Sequence, residues 1–250
     1  MRILITGSKG FIGRNLVKLL MGNPFVEEVY EFDKDSTFED LKYYCANADA
    51  IFHLAAVLRP EKECGYNENV DLTSRLIELL KSFNNKSPVM FASSIQATLD
   101  NPYGRTKRIE ENKFLKYGRE NGANTYVFRF PNLFGTMSLP NYTSVIATFC
   151  YNTIKELPLI VNNPSSQMKF AFIEKVLSRV IDVVIGNKHE TANVIIDDIE
   201  FYPVGLGELT YYMETLKLET EPAIKRNDGF YYDLKKTFQW YKENIALFER

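Results

Sequence analysis

Three glycines close to the amino terminus narrow the possible folds more than any other feature of the chain. Gly7-Ser8-Lys9-Gly10-Phe11-Ile12-Gly13 follows the short apolar run Ile3-Leu4-Ile5. It leads into Phe11 to Met21, where Ile12, Leu16, Leu19 and Leu20 recur at helical spacing. A strand that turns at once into a helix needs glycine at Gly7 for the tight turn and at Gly13 so that the helix can lie close on the strand. Gly10 leaves room for a pyrophosphate, and the helix start offers free N–H groups and the positive end of its dipole. A tight turn without a ligand is the plainer alternative. The position between a strand and a helix favours a dinucleotide cradle made by Gly7, Gly10, Phe11, Ile12 and Gly13.

The rhythm set there continues. Val29 to Phe32, Ala50 to Leu54, Val89 to Ala92 and Thr125 to Phe130 read as strands. Between them, Leu72, Leu76, Leu79 and Leu80 mark a helix running to about Phe83, and another helix opens at Asn101-Pro102. Strands alternating with helices imply right-handed βαβ units: an α/β fold with a doubly wound parallel sheet of Rossmann type. Helices on both faces explain strands that are apolar throughout rather than alternating. Residues 1–130 are therefore expected to form the dinucleotide-binding domain. After Pro131 the rhythm breaks, with helical patterns at Ser144 to Leu157, Val176 to Ile185 and Gly207 to Leu216. Residues 131–250 are expected to form a smaller C-terminal substrate-binding lobe packed at the carboxyl edge of the sheet, where open α/β sheets bind ligands.

Composition matters here for what it excludes. Thirty Lys+Arg against thirty-two Asp+Glu leave a net charge of −2, too balanced to hold nucleic acid by bulk charge. No apolar run approaches the ~20 residues that cross a bilayer, and the N-terminus lacks a signal-peptide pattern. Cys45, Cys64 and Cys150 are odd in number and widely spaced, and His53 and His189 are the only histidines. That usage fits a reducing compartment and neither a disulfide framework nor a metal centre. The expectation is a metal-free cytoplasmic protein with no nucleic-acid or membrane partner.

The second strand ends at Asp33-Lys34. Asp33 suits the ribose hydroxyls of NAD(H), whereas Lys34 suits the extra phosphate of NADP(H), so the choice stays open. Ser93-Ser94 close a later strand, placing at least one hydroxyl at its carboxyl end. In the helix after them, Asn101 has the character of an N-cap and Pro102 of the first helical residue. Tyr103 and Lys107 then share one face at i and i+4. A nearby ammonium and a helix N-terminus both favour the phenolate, so the tyrosine is expected to have a lowered pKa and to serve as acid–base, with a serine holding a carbonyl oxygen. His53, inside an apolar strand, reads as a satisfied core or supporting histidine, and Arg59 and Lys62 as solvated.

Taken together, Gly7xxGly10xxGly13 after Thr6, His53-Leu54-Ala55-Ala56, Tyr103xxxLys107 and Arg129xxAsn132 with Phe134-Gly135 resemble the extended short-chain dehydrogenases/reductases, also called the NAD-dependent epimerase/dehydratase family. Ser93 to Thr98, Asp100 to Gly104, Pro131 to Gly135 and Pro140 to Tyr151 resemble more narrowly the reductases of bacterial capsular polysaccharide synthesis that act on a UDP-linked 4-keto-6-deoxy amino sugar. The resemblance implies a 4-ketoreductase: Ser94 holds the carbonyl, Tyr103 protonates the developing alkoxide, and Lys107 binds the nicotinamide ribose and tunes Tyr103. Leu54, Ala55 and Ala56 would line the NAD(P)H, Asn132 and Asn141 would contact the UDP-sugar, and Arg129 would tie strand to loop. The family also implies a homodimer.

Three departures accompany it. Those capsular reductases carry a cupin domain that has no counterpart in these 250 residues, so its epimerisation is not carried over. Asp33-Lys34 stands where a more basic strand end is expected of an NADPH enzyme. Phe170-Ala171-Phe172-Ile173-Glu174-Lys175 has Glu174 and Lys175 in place of two aspartates. Two alternatives to reduction remain: an epimerase that retains its NAD, or a non-catalytic nucleotide-binding protein. Dehydration is disfavoured, because Ile95 and Gln96 follow Ser94 where that reaction needs a carboxylate.

Overall fold

The computed structural model describes residues 1–142, 144–186, 192–223 and 228–249. Thr143, within the motif that starts at Pro140, and His189 lie outside the described residues. Two compact units emerge, one of Met1–Phe130 with Leu177–Ile199, the other of Pro131–Val176 with Glu200–Arg250.

In the first unit, β1 (Arg2–Thr6), β2 (Glu28–Phe32), β3 (Ala50–His53), β4 (Val89–Ser94), β5 (Thr125–Phe130) and β8 (Val194–Ile196) form one parallel sheet in the order β2-β1-β3-β4-β5-β8. Helices α1 (Phe11–Met21), α2 (Phe38–Asn47), α3 (Asn67–Ser82) and α4 (Pro102–Asn121) make the crossovers. From β1 the chain crosses outward to β2, then back past β1 to β3, so the strand order reverses beside β1. That reversal is where ligands of doubly wound sheets settle. Ile3, Leu4, Ile5, Ile51, Phe52, Val89 and Val127 are all fully buried, as strands covered on both faces must be.

The second unit carries a smaller sheet. There β6 (Asn132–Phe134) pairs parallel with β7 (Gln167–Phe172), and β7 pairs antiparallel with β9 (Tyr202–Gly205). With them come α5 (Val145–Ile154), α7 (Leu206–Lys217) and α8 (Asp228–Asn244). Its core is aromatic: Phe134, Phe149, Phe170, Phe172, Tyr212, Phe230, Phe238 and Tyr241. The boundary between the units falls within α6 (Ile173–Val184).

The sequence reading assigns all of 131–250 to one lobe; residues 177–199 instead belong to the first unit, because β8 adds to the sheet beside β5. It also passes over α2, whose buried face is only Leu41 and Cys45, too narrow a stripe to show a period. Among the described residues, no helix is long and apolar enough to cross a membrane.

Candidate active site

The glycine loop is shaped by backbone contact. Gly7 has φ +73° and donates its N–H to Phe32 O at 2.8 Å, locking the loop to the end of β2. A Cβ there would stand 2.7 Å from Ala55 N and Cα, and one on Gly13 would stand 2.2 Å from Gly7 O. Any side chain at either position forces the backbone apart. The first turn of α1 holds Phe11 and Ile12, has no acidic residue, and receives no side-chain cap from Gly10. Its leading N–H groups therefore have no side-chain acceptor from the cap residue. Leu54, Ala55 and Ala56 follow β3 directly, with Leu54 N–H bonded to Thr6 O at 3.1 Å beside the loop.

At the end of β2 the Asp33 carboxylate accepts 2.8 Å hydrogen bonds from the N–H groups of Lys9 and Lys34. It is thereby fixed against the glycine loop. Lys9 forms an ion pair with Asp35.

Two serines close β4 and do different work. Ser93 is buried and donates to Glu111 Oε1 at 2.5 Å. Ser94 is partly open; its Oγ accepts from Gln96 N–H at 3.2 Å, capping the short turn Ile95–Thr98. With that lone pair used, the Ser94 hydroxyl proton is left to donate.

Helix α4 starts as its sequence dictates. The Asn101 side chain accepts from Gly104 N–H at 2.7 Å and Pro102 opens the first turn. Tyr103 and Lys107 share a face, with Lys107 Nζ 5.8 Å from the centroid of the Tyr103 ring. Lys107 is buried, donates to Ala92 O at 3.3 Å and lies 4.6 Å over the Phe91 ring. Burial alone pushes its ammonium down, but Glu110, Tyr103 and Glu111 more than offset this, and the group titrates above its ordinary value.

Tyr103 departs from expectation. Its pKa is raised, because burial outweighs the opposing pull of Lys107, with Glu110 and Tyr66 adding to the rise. At neutral pH the phenol keeps its proton, the form a proton donor needs.

Arg129 also differs. Its guanidinium grips Glu111 through Nε at 2.9 Å and Nη2 at 2.7 Å, so it ties β5 to α4 rather than to a loop. In the second unit, Asn132 Nδ2 donates to Lys169 O at 3.1 Å, and Asn141, at φ +57°, donates its N–H to Thr148 Oγ1 at 2.9 Å. Both are exposed. Glu174 and Lys175, standing where aspartates are expected, find partners on α8: Glu174 pairs with Lys236 at 2.6 Å and Lys175 with Asp233 at 2.7 Å. Asp233, the carboxylate that meets Lys175, stands on a helix the sequence reading did not foresee.

Sequence reasoning also misses Glu110 and Glu111. The signal was there: Tyr103, Lys107, Glu110, Glu111 and Phe114 follow one helical stripe, and the last four are buried. Three charges in a buried stripe call for partners.

Residues 3–194 match the family described as NAD dependent epimerase/dehydratase. The UDP-2-acetamido-2,6-beta-L-arabino-hexul-4-ose reductase of Pseudomonas aeruginosa is 37% identical over 210 residues, which cover 84% of this chain and 56% of that protein. The capsular polysaccharide assembling protein CapF from Staphylococcus aureus superposes with a TM-score of 0.82 at 31% identity, over 96% of this chain and 65% of that one. The Bordetella bronchiseptica enzyme WbmF, solved with NAD+ and UDP, gives a TM-score of 0.82 at 20% identity over 99% of this chain and 94% of that one, a likeness of fold. The chain spans less than two thirds of the length of the first two relatives.

Proposed function

Since the chain belongs to the NAD dependent epimerase/dehydratase family, we propose that it is a nicotinamide-dependent oxidoreductase reducing the 4-keto group of a UDP-linked 6-deoxy amino sugar, in the synthesis of a capsule or O-antigen polysaccharide. One observation carries the reading: a tyrosine that keeps its proton stands beside a buried ammonium and follows a strand-end serine with a free hydroxyl proton. Its likeness to a reductase of such a sugar supports the substrate class.

The residues present fit a nicotinamide dinucleotide. A helix start without a side-chain cap follows a glycine loop in which Gly7 and Gly13 leave no room for a Cβ, which suits a pyrophosphate. The bound cofactor supplies hydride to the carbonyl carbon. Ser94 Oγ–H donates to the carbonyl oxygen and polarises it. Tyr103 Oη–H transfers its proton to that oxygen as charge develops there. Lys107 holds positive charge beside the phenol and stabilises the tyrosinate left behind. Ser93 and Arg129, both engaged with Glu111, hold β4 and β5 on α4 beneath these groups.

For the cofactor, NAD(H) is the reading that Asp33 favours. Its carboxylate, fixed against the glycine loop, accepts ribose hydroxyls and repels a ribose phosphate, while Lys9 is already paired with Asp35. Asn132 and Asn141 are proposed sugar-nucleotide contacts, and a homodimer in the cytoplasm is the proposed assembly and location.

The test follows absorbance at the nicotinamide band with a UDP-4-keto-6-deoxy-N-acetylhexosamine, NADH against NADPH, and Tyr103→Phe as control. Oxidation that prefers NADH and is lost in the variant supports the proposal. Cofactor that stays bound through purification, with no oxidation, moves the assignment to an epimerase. Weak exchangeable binding with no turnover points to the non-catalytic alternative.

A further inference from the structure

Behind Lys107 lies a buried polar line that the reaction as described does not use. Ala55 N–H donates to Thr6 Oγ1 at 3.3 Å, Thr6 Oγ1 is 2.7 Å from His53 Nδ1, and His53 Nε2 is 3.0 Å from Thr73 Oγ1. Thr73 Oγ1 donates to Glu110 Oε1 at 2.9 Å, and Glu110 Oε2 is 3.2 Å from Lys107 Nζ. Thr6, His53, Thr73 and Glu110 are each fully buried.

The direction of every bond follows from proton counting. A threonine hydroxyl has one hydrogen. Thr73 gives its hydrogen to the Glu110 carboxylate, so it accepts from His53, and Nε2 carries the imidazole proton. Burial, with the Lys107 charge adding, depresses His53 to about 3, so the ring is neutral and Nδ1 is bare. Nδ1 therefore accepts from Thr6, whose oxygen accepts from Ala55. Every donor points toward Glu110.

Among the described residues, the Lys107 ammonium at 3.2 Å is the one polar group set against Glu110 Oε2. The neighbouring carboxylate is spent, since Glu111 is gripped by Arg129 and receives Ser93. Among the described residues, Glu110 is thus the one carboxylate within ion-pair distance of a fully buried ammonium, and such an ammonium needs one.

We propose that Glu110 is a positioning residue for the site: its carboxylate, aimed by the Thr6–His53–Thr73 line, keeps the Lys107 ammonium charged and seated beside Tyr103. The inference rests on the reductase reading for its kinetic consequence and on the buried pair alone for its physical one. The groups facing Lys107 are Tyr103, Glu110 and Glu111 of α4, His53 of β3, and the Phe91 ring and Ala92 carbonyl of β4, with Tyr66 beyond Tyr103. Of these, Glu110 opposes the desolvation of Lys107 most strongly.

Glu110→Gln keeps shape and removes charge. Lys107 then loses its counter-ion and gives up its proton at lower pH. Tyr103, relieved of a neighbouring anion, does the same. Both changes pull the alkaline limb of reductive kcat downward. Wild type should hold its rate to pH ~10, near the ordinary tyrosine value, whereas Glu110→Gln should lose about tenfold within the range pH 8 to 10, with Glu110→Asp recovering most of it. A purely structural role lowers the melting temperature and leaves the limb in place, which would overturn the proposal.

Lysine-selective 13Cε NMR, with Lys107 assigned through Lys107→Met, reads the same change without turnover. Its titration should move down in Glu110→Gln; an unmoved titration overturns the proposal. If wild type fails to reduce any 4-keto sugar while the NMR shift appears, the reductase reading falls and the role of Glu110 stands. If Glu110→Gln does not fold, Lys107→Met/Glu110→Gln should fold, because neither charge remains. A double variant no more stable than Glu110→Gln contradicts the pairing.

Discussion

The two compact units bury their polar groups in opposite ways. In the first, Lys107, Glu110 and Glu111 are buried together on one helix and meet partners on β4, β5 and α3. In the second, the buried charged residue among those described is Asp233, answered by Lys175 and Tyr202. Its interior is otherwise a set of stacked and edge-on rings such as Phe134, Phe170, Phe172 and Phe230. Apolar rings stabilise without direction, whereas buried charges cost stability unless every partner is in place. Such charges gathered beside the end of β4 are what support the proposal that chemistry takes place there.

The comparison breaks most sharply at two tyrosines. Tyr103→Phe should cut reductive turnover by about 10²–10⁴-fold, the range of a general acid, with an unchanged melting temperature. Tyr202→Phe, which loses its 2.8 Å bond to Asp233, should melt earlier and turn over near the wild-type rate at saturating substrate. Steady-state kinetics beside calorimetry separates the two; equal losses of turnover would erase the distinction.

Next in size is Arg129→Leu, which strands Glu111 in the interior. Breaking a buried pair from one side costs roughly 3–5 kcal/mol, read as a lowered denaturant midpoint.

A third effect concerns pH. His53 titrates at about 3 in the folded chain against ~6.5 when unfolded. Between those values the unfolded chain takes up a proton that the folded chain refuses. This contribution is intact above ~6.5 and is lost as pH falls toward 3, by about 1.4 kcal/mol per pH unit. His53→Gln should unfold more readily at pH 7 yet show a shallower acid slope, which thermal melts across pH will report. The smallest effect is Asn101→Ala, which removes the α4 cap for about 1 kcal/mol, seen as a slight fall in melting temperature.

What the sequence made legible follows the same division. Ile3 to Gly13 and Asn101 to Lys107 announce themselves through glycine, proline and asparagine at fixed offsets, because local backbone chemistry decides those segments. Thr125–Phe130 reads directly as a buried run. The second unit is less legible for a physical reason. The stripe of α8, Phe230, Leu234, Phe238 and Tyr241, has helical spacing, but it lies among tyrosines and lysines that blur it. The capping box Thr37 to Asp40 was a local signal for α2. Glu110 belongs to another class: its partner Thr73 lies 37 residues away, and His53 a further 20 from Thr73. No local period tells which buried polar groups will meet. The Tyr103 pKa was misread for a related reason, since the attraction of Lys107 is visible in the spacing while the burial that overrides it is not.

The central claim is hydride delivery to a sugar ketone with Tyr103 as proton donor. It is tested most directly with NADH deuterated at the transferring position of nicotinamide C4, a UDP-4-keto-6-deoxy-N-acetylhexosamine and wild-type protein, reading the product by NMR. The account predicts one deuterium at sugar C4 for each NADH consumed, formed about 10²–10⁴-fold more slowly by Tyr103→Phe. Ketone recovered unreduced with the NADH intact, or a reduced product with no deuterium at C4, would contradict it.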